Sequence, residues 1–113
     1  MDNRKIKKYQ TILTTWLGEY AARRTRDEIE YQCISDTKLH HYQVVKVGWS
    51  DNSFCHNIIF HFQIKDDGKV WLLVNNTDIL VTDDLIELGI PKSEIVLGFQ
   101  PIEIRAFSGY ATA

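Results

Sequence analysis

The stretch HYQVVKVGWSDNSFCHNIIFHFQI, residues 41–64, carries most of the information about the fold of this chain. Its two arms, residues 41–49 and 54–64, are rich in β-branched and aromatic residues that alternate with polar ones, a pattern typical of strands. The four residues between them, 50–53, have the Ser, Asp and Asn composition of a tight turn. Because so short a turn joins only antiparallel neighbours, residues 41–64 predict a β-hairpin.

The register of this hairpin follows from the need to gather apolar side chains on one side. Pairing Trp49 with Phe54 aligns the alternating apolar residues of both strands. The predicted core face then carries Val45, Val47, Trp49, Phe54, His56, Ile58, Phe60, Phe62 and Ile64. The predicted second face carries Tyr42, Val44, Ile59 and His61.

Two more strands flank the hairpin, over residues 28–35 and 69–75, because both segments alternate with period two. The turn before the later one is Asp66-Asp67-Gly68, whose glycine suits a tight reversal. These segments predict an antiparallel meander of four strands. The apolar residues 95–104 are expected to lie over a sheet face or along a sheet edge.

One helix is predicted before the meander in the sequence and one after it. Residues 4–24 repeat apolar side chains at spacings of three and four, and a second helix near residues 78–88 is stopped by Gly89 and Pro91. The expected polar caps are Asn3 or Asp2 for the first helix and Thr77 or Asn76 for the second. We therefore expect an α+β fold in a single domain, residues 1–113: an antiparallel β-meander of about four strands, covered on one face by two helices.

Composition places the chain among ordinary globular proteins. It has 113 residues, of which 44% are hydrophobic and 25% charged, and a net charge of −2. The cysteines Cys33 and Cys55 have no CxxC or framework spacing and are expected to be reduced thiols. There is no apolar leader and no apolar run of membrane-spanning length, so a cytoplasmic location is expected.

Charge is unevenly distributed along the chain. Residues 1–26 contain seven basic and two acidic residues, whereas residues 27–113 contain six basic and thirteen acidic ones. The simple interpretation is a solvated helix with basic ends. The alternative is a small docking patch for an anion or for DNA, with Arg23, Arg24 and Arg26 as its contacts.

Sequence motifs for catalysis or metal binding are weak. Within each strand the neighbouring histidines, His40 with His41 and His56 with His61, point to opposite faces, so we expect no metal site. Asp51 and Lys65 offer a remote resemblance to a metal-dependent nuclease, but the second carboxylate is replaced by the amide of Gln63. The chain is therefore expected to need no cofactor and to be no enzyme.

The second sheet face is more apolar than a solvated face should be. It is expected to carry Tyr42, His61, Trp71 and Leu73, which we take as candidate contacts with a partner or with a second copy. Two interpretations remain open: the C-terminal run, residues 95–113, covers these side chains, or another chain does.

Several segments together resemble the XisI family, the fdxN element excision controlling factors of cyanobacteria. They are Glu19-Tyr20-Ala21, Tyr42-Gln43, Val47-Gly48-Trp49, Gly68-Lys69-Val70-Trp71, residues 87–92, residues 95–99, Pro101, Arg105 and the Ala111 and Ala113 ending. Gln100 stands where the family often has histidine, Asn75-Asn76 where it often has Asp-Gly, and Gly109 lies in a changed ending.

The resemblance implies a small accessory protein without a catalytic motif. It would act with a companion, XisH, and with a site-specific recombinase in programmed DNA excision. This implied function depends on contacts between proteins. The alternative is direct DNA binding through the basic ends of the N-terminal helix. A homo-oligomer is a further expectation.

Overall fold

A computed structural model describes residues 3–113 of the chain. The elements are α1 (Asn3–Arg24), β1 (Ile29–Asp36), β2 (His41–Ser50), β3 (Ser53–Ile64), β4 (Val70–Asn75), α2 (Val81–Leu88), a 3₁₀ turn (Lys92–Glu94), β5 (Ile95–Leu97) and α3 (Ile102–Arg105). Asn3 is already part of α1, and Asp2, the other predicted cap, lies outside the described residues.

The sheet has five strands in the order β1-β2-β3-β4-β5. The first four form the predicted antiparallel meander, and the predicted pairing of Trp49 with Phe54 is confirmed. β5 then runs parallel to β4, with Val70 opposite Ile95, because α2 carries the chain back across the sheet first. The apolar run after Pro91 thus lies along an edge, and the α+β fold is confirmed.

The predicted assignment of the β3 side chains to a single face is wrong. Val44 pairs with Phe60 but Val45 pairs with Ile58, so Ile59 is an extra residue in β3, a β-bulge. The extra residue shifts the alternation by one position, so even-numbered residues of β3 face one side of the sheet before the bulge and the other side after it. Phe60, Phe62 and Ile64 therefore face the helices, whereas Phe54, His56 and Ile58 face away.

This reversal exchanges part of the two predicted faces. Tyr42 and Val44, expected on the second face, are fully buried under the helices, and Ile59 is 9% exposed. In contrast, Trp49 and Phe54, expected in the core, are 54% and 56% exposed. The physical cause is the pairing of β2 with the part of β3 beyond the bulge. Tyr42 lies opposite Phe62 and Val44 opposite Phe60, so all four side chains face the helices.

The core forms between the helix-facing side of the sheet and α1. Leu13 and Leu17 are fully buried there, and Trp16 and Tyr20 both meet the Phe60 ring edge to face, at centroid distances of 5.3 Å and 5.1 Å. Such edge-to-face contacts add to the stabilisation by burial. The three-and-four spacing of residues 4–24 therefore becomes the buried stripe of α1, as predicted.

The start of α2 differs from the prediction, and its end agrees with it. Leu80 occupies the cap position without a side-chain hydrogen bond to the helix, so capping by Thr77 or Asn76 is wrong. The Thr77 hydroxyl instead accepts the Ile79 backbone N–H inside the preceding turn. At the other end, Gly89 has φ 118° and ends the helix in the left-handed conformation, as expected.

Candidate interaction surface and its neighbours

The sheet face turned away from α1 carries apolar side chains of β2 and β3 and one of β1, with polar residues between them. We call it the open face and define it by the residues Ile34, Val45, Val47, Trp49, Phe54 and Ile58. The Trp49 and Phe54 rings lie side by side at the hairpin end, with centroids 5.3 Å apart. An exposed aromatic pair beside further apolar side chains is typical of a contact with another molecule.

The other half of the same face, over β4, is covered by the chain itself. Gly98 runs so close that a Cβ atom there would lie 2.8 Å from the Trp71 ring and 2.9 Å from Leu73. The Lys65 ammonium lies 4.2 Å from the Trp71 ring centroid and the Arg105 guanidinium 5.0 Å from it. Of the two interpretations left open by the sequence, cover by the C-terminal run therefore applies to Trp71 and Leu73.

The four predicted contact residues are not brought together as expected. Tyr42 is fully buried, so its predicted position on the second face is wrong. Its hydroxyl lies 2.9 Å from His40 Nδ1, and burial raises the pKa of Tyr42 to about 12. His61 lies beside the open face and is half-buried, while Trp71 and Leu73 are half-buried under the C-terminal run.

His41 of β2 and His61 of β3 lie in contact, although they are far apart in the sequence. His41 Nδ1 lies 2.9 Å from His61 Nε2, and Gln43 Nε2 lies 3.3 Å from His61 Nδ1. Burial, followed by the nearby His41, lowers the pKa of His61 below its ordinary value. This pair is not visible in the spacing of histidines along a single strand, because the hairpin register places residues 41 and 61 diagonally opposite each other on neighbouring strands.

The three predicted anion contacts do converge. Arg23, Arg24 and Arg26 line one cavity of about 530 Å³, together with Trp16, Tyr20, Tyr31, Ile79 and Asp84. The Arg24 guanidinium lies 4.7 Å from the Tyr20 ring centroid, and Trp16 Nε1 donates a hydrogen bond to Asp84 Oδ2 at 3.0 Å. Guanidinium groups beside aromatic rings suit an anion that carries a planar group.

The nuclease-like pair does not converge. Asp51 lies in the turn before β3 and Lys65 follows its last residue. At about 3.3 Å per residue a strand of this length spans roughly 35 Å, far more than one metal ion can bridge. Over residues 3–113, moreover, no three His, Cys, Asp or Glu side chains are placed to hold a metal ion together.

Cys33 and Cys55 are free thiols, and burial raises the pKa of the Cys33 thiol. Cys33 therefore lacks the lowered pKa of a reactive cysteine. Among the described helices, none combines the length and apolarity required to cross a bilayer.

Comparison with known protein families identifies the family of this chain. The family model described as XisI protein matches residues 1–112 of the chain. The chain belongs to the XisI family. This match bears out the resemblance seen in the sequence, and a comparison with curated protein sequences finds no match.

Two solved structures extend the XisI assignment to the fold. A XisI-like protein from Anabaena variabilis ATCC 29413 is 38% identical, with a TM-score of 0.89 over 96% of this chain and 99% of that one. The fdxN element excision controlling factor XisI from the same organism is 25% identical, with a TM-score of 0.80 over the same shares. The family thus includes a protein named as a controlling factor, a name that indicates a regulatory role.

Proposed function

We propose that this chain is a non-enzymatic regulatory protein that binds another protein through the open face. The observation that carries the proposal is the exposure of the adjacent Trp49 and Phe54 rings on the open face of the sheet. Large aromatic side chains of this kind dominate the energetics of protein interfaces. By family resemblance the partner is an XisH-like protein, and the process is programmed DNA excision by a site-specific recombinase.

The chemistry of the open face suits a protein surface better than a small polar ligand. Its centre is apolar, with Val45 only 6% exposed between the larger side chains. Its edges carry polar groups, among them Gln43, His61 and, in β1, the carboxylate of Glu30 opposite Val47. An apolar centre within a polar rim is the usual plan of protein interfaces. His61 belongs to this rim, and Trp71 with Leu73 would contact the partner only at the margin of the C-terminal run.

The test is co-expression with an XisH-like protein, followed by affinity measurement. Trp49→Ala and Phe54→Ala should each weaken the complex at least about tenfold, because each removes an aromatic anchor from the interface. Phe107→Ala is the matched control, since Phe107 is 88% exposed but lies on the C-terminal run. An unchanged affinity in both open-face variants, or no complex with the wild-type protein, would contradict the proposal.

The arginine-lined cavity supports a second function, direct contact with DNA. Three guanidinium groups around one cavity can neutralise neighbouring phosphates, and such binding weakens steeply with salt. Replacing Arg23, Arg24 and Arg26 together by Gln should abolish salt-sensitive duplex binding. Lys38→Gln removes a charge from an exposed turn and should have little effect. The absence of any duplex binding at low salt would eliminate this function.

A further inference from the structure

The strongest unassigned feature of the molecule is the cross-strand pair His41 and His61. Their nitrogens approach to 2.9 Å, and their ring centroids are 5.1 Å apart with planes inclined by 54°. β2 and β3 are interior strands of the sheet, so the backbone that holds both rings is fixed by pairing on both sides. The two imidazoles are therefore held together by the fold and not by a mobile loop.

The hydrogen bonds around the pair indicate which ring atoms are available. Gln43 Nε2 can only donate, so His61 Nδ1 accepts its hydrogen bond and His61 Nε2 carries the proton. That proton is shared with His41 Nδ1, which accepts. Two ring nitrogens thus converge on one position, where a single proton now lies between them.

We propose that His41 and His61 form a binding site for a divalent transition-metal ion with a preference for imidazole, such as Zn²⁺. In a tetrahedral site with Zn–N distances of about 2.0–2.1 Å, two ligand nitrogens lie roughly 3.3 Å apart, so these rings need to separate by only a few tenths of an ångström. Neutral imidazole is the common protein ligand for Zn²⁺, Ni²⁺ and Cu²⁺.

The proton balance of binding is simple. The metal ion replaces the shared proton but lies roughly 1.2 Å to one side of the line between the two nitrogens, so both rings tilt towards it and bind it through His41 Nδ1 and His61 Nε2. The displaced proton is taken up at His61 Nδ1, so the ring remains neutral overall. Gln43 then accepts that N–H through its amide oxygen after turning its side-chain amide over, which gives the His61 ligand the supporting hydrogen bond usual at metal sites.

One carboxylate lies near the histidine pair. Asp36 pairs directly opposite His41 and places a carboxylate on the same side of the sheet. Its carboxylate accepts the Leu39 and Lys38 backbone N–H groups, which lower the pKa of Asp36 and keep it ionised. Water completes the coordination, because the protein supplies only two nitrogens. The site adjoins the open face, and its His61 also belongs to the rim of the proposed interface.

The experiment is a calorimetric titration of the untagged protein with ZnCl₂, and with MgCl₂ as the metal control. We expect saturable binding of one Zn²⁺ per chain and no binding of Mg²⁺. His41→Gln and His61→Gln should each weaken Zn²⁺ binding at least about tenfold, since each leaves a single imidazole. His56→Gln is the matched control, because His56 is an exposed histidine of β3 with no imidazole neighbour among its ring contacts.

A second measurement protects the test against variants that fail to fold. In the wild-type protein, ring ¹⁵N resonances of His41 and His61 should shift on addition of Zn²⁺, while those of His56 stay in place. The proposal is overturned if Zn²⁺ shows no saturable binding, if the His41 and His61 resonances do not move, or if folded His41 and His61 variants bind as well as wild type. None of these results depends on complex formation, so they are distinguishable from failure of the proposed function.

Discussion

At the scale of single residues, Gly48 shows how one backbone position holds two strands together. Gly48 lies opposite Ile29 in β1 and has φ 146°. A Cβ atom there would lie 2.0 Å from the Glu28 carbonyl oxygen, which is backbone and cannot rotate aside. The glycine of the Val47-Gly48-Trp49 segment is therefore required by the close approach of two backbone segments, not by a turn.

We predict that Gly48→Ala destabilises the protein by at least about 2 kcal/mol, because the clash forces β1 away from β2. Gly18→Ala is the control and should change the free energy of unfolding in the opposite direction. Gly18 lies inside α1, where an added Cβ would meet no atom within 4 Å apart from the neighbouring backbone of the helix itself. This substitution should stabilise the protein by about 0.5–1 kcal/mol. Urea denaturation of both variants checks the pair, and a neutral Gly48→Ala would contradict the description of this contact.

At the scale of elements, the Ile59 bulge decides what each half of β3 contacts. Before it, Phe54 and Ile58 form part of the open face; after it, Phe60 and Phe62 fill the core. Without the extra residue, both halves would lie on the same side of the sheet, and the aromatic pair at the hairpin end could not be exposed. The proposed interaction surface therefore depends on this bulge.

Two neighbouring isoleucines test the bulge directly. Ile59 is 9% exposed and belongs to the core, whereas Ile58 is 38% exposed on the open face. Ile59→Ala should cost about 2–3 kcal/mol and Ile58→Ala less than about 1 kcal/mol, because only the first leaves a cavity. Unbroken alternation predicts the reverse order. Equilibrium unfolding of the two variants thus decides between the bulged strand and a regular one.

At the scale of the whole molecule, the stability at high pH reflects tyrosines buried in the core. Burial raises the pKa of Tyr9 and Tyr20, and raises that of Tyr42 to about 12. An unfolded tyrosine ionises near pH 10, so between about pH 10 and 12 the unfolded chain loses a proton that folded Tyr42 retains. The contribution of Tyr42 is therefore fully present below pH 10 and is lost as the pH rises towards 12.

The corresponding prediction concerns Tyr42→Phe. This variant lacks the titrating hydroxyl, so its free energy of unfolding should fall less steeply between about pH 10 and 12, by up to about 1.4 kcal/mol per pH unit. At pH 8 it should show only the constant cost of losing the contact with His40. Urea unfolding across this range is the measurement, and identical slopes for the two proteins would show that Tyr42 is not protected from ionisation.

The sequence by itself determined the first four strands, their turns, the two main helices and the family. These features are encoded locally: in the alternation of β1 and β4, the tight turn before Phe54, and the Gly89 stop. The convergence of the arginines near the end of α1 was also foreseeable from their spacing.

Only the tertiary structure decided which face of the hairpin is buried, because period-two counting assumes an unbroken ladder and Ile59 interrupts it. The meeting of His41 with His61 was likewise decided across strands, where neighbours are set by register and not by separation along the chain. Burial of Tyr42, exposure of Trp49 and cover of Trp71 by Gly98 all follow from that register and from the parallel fifth strand.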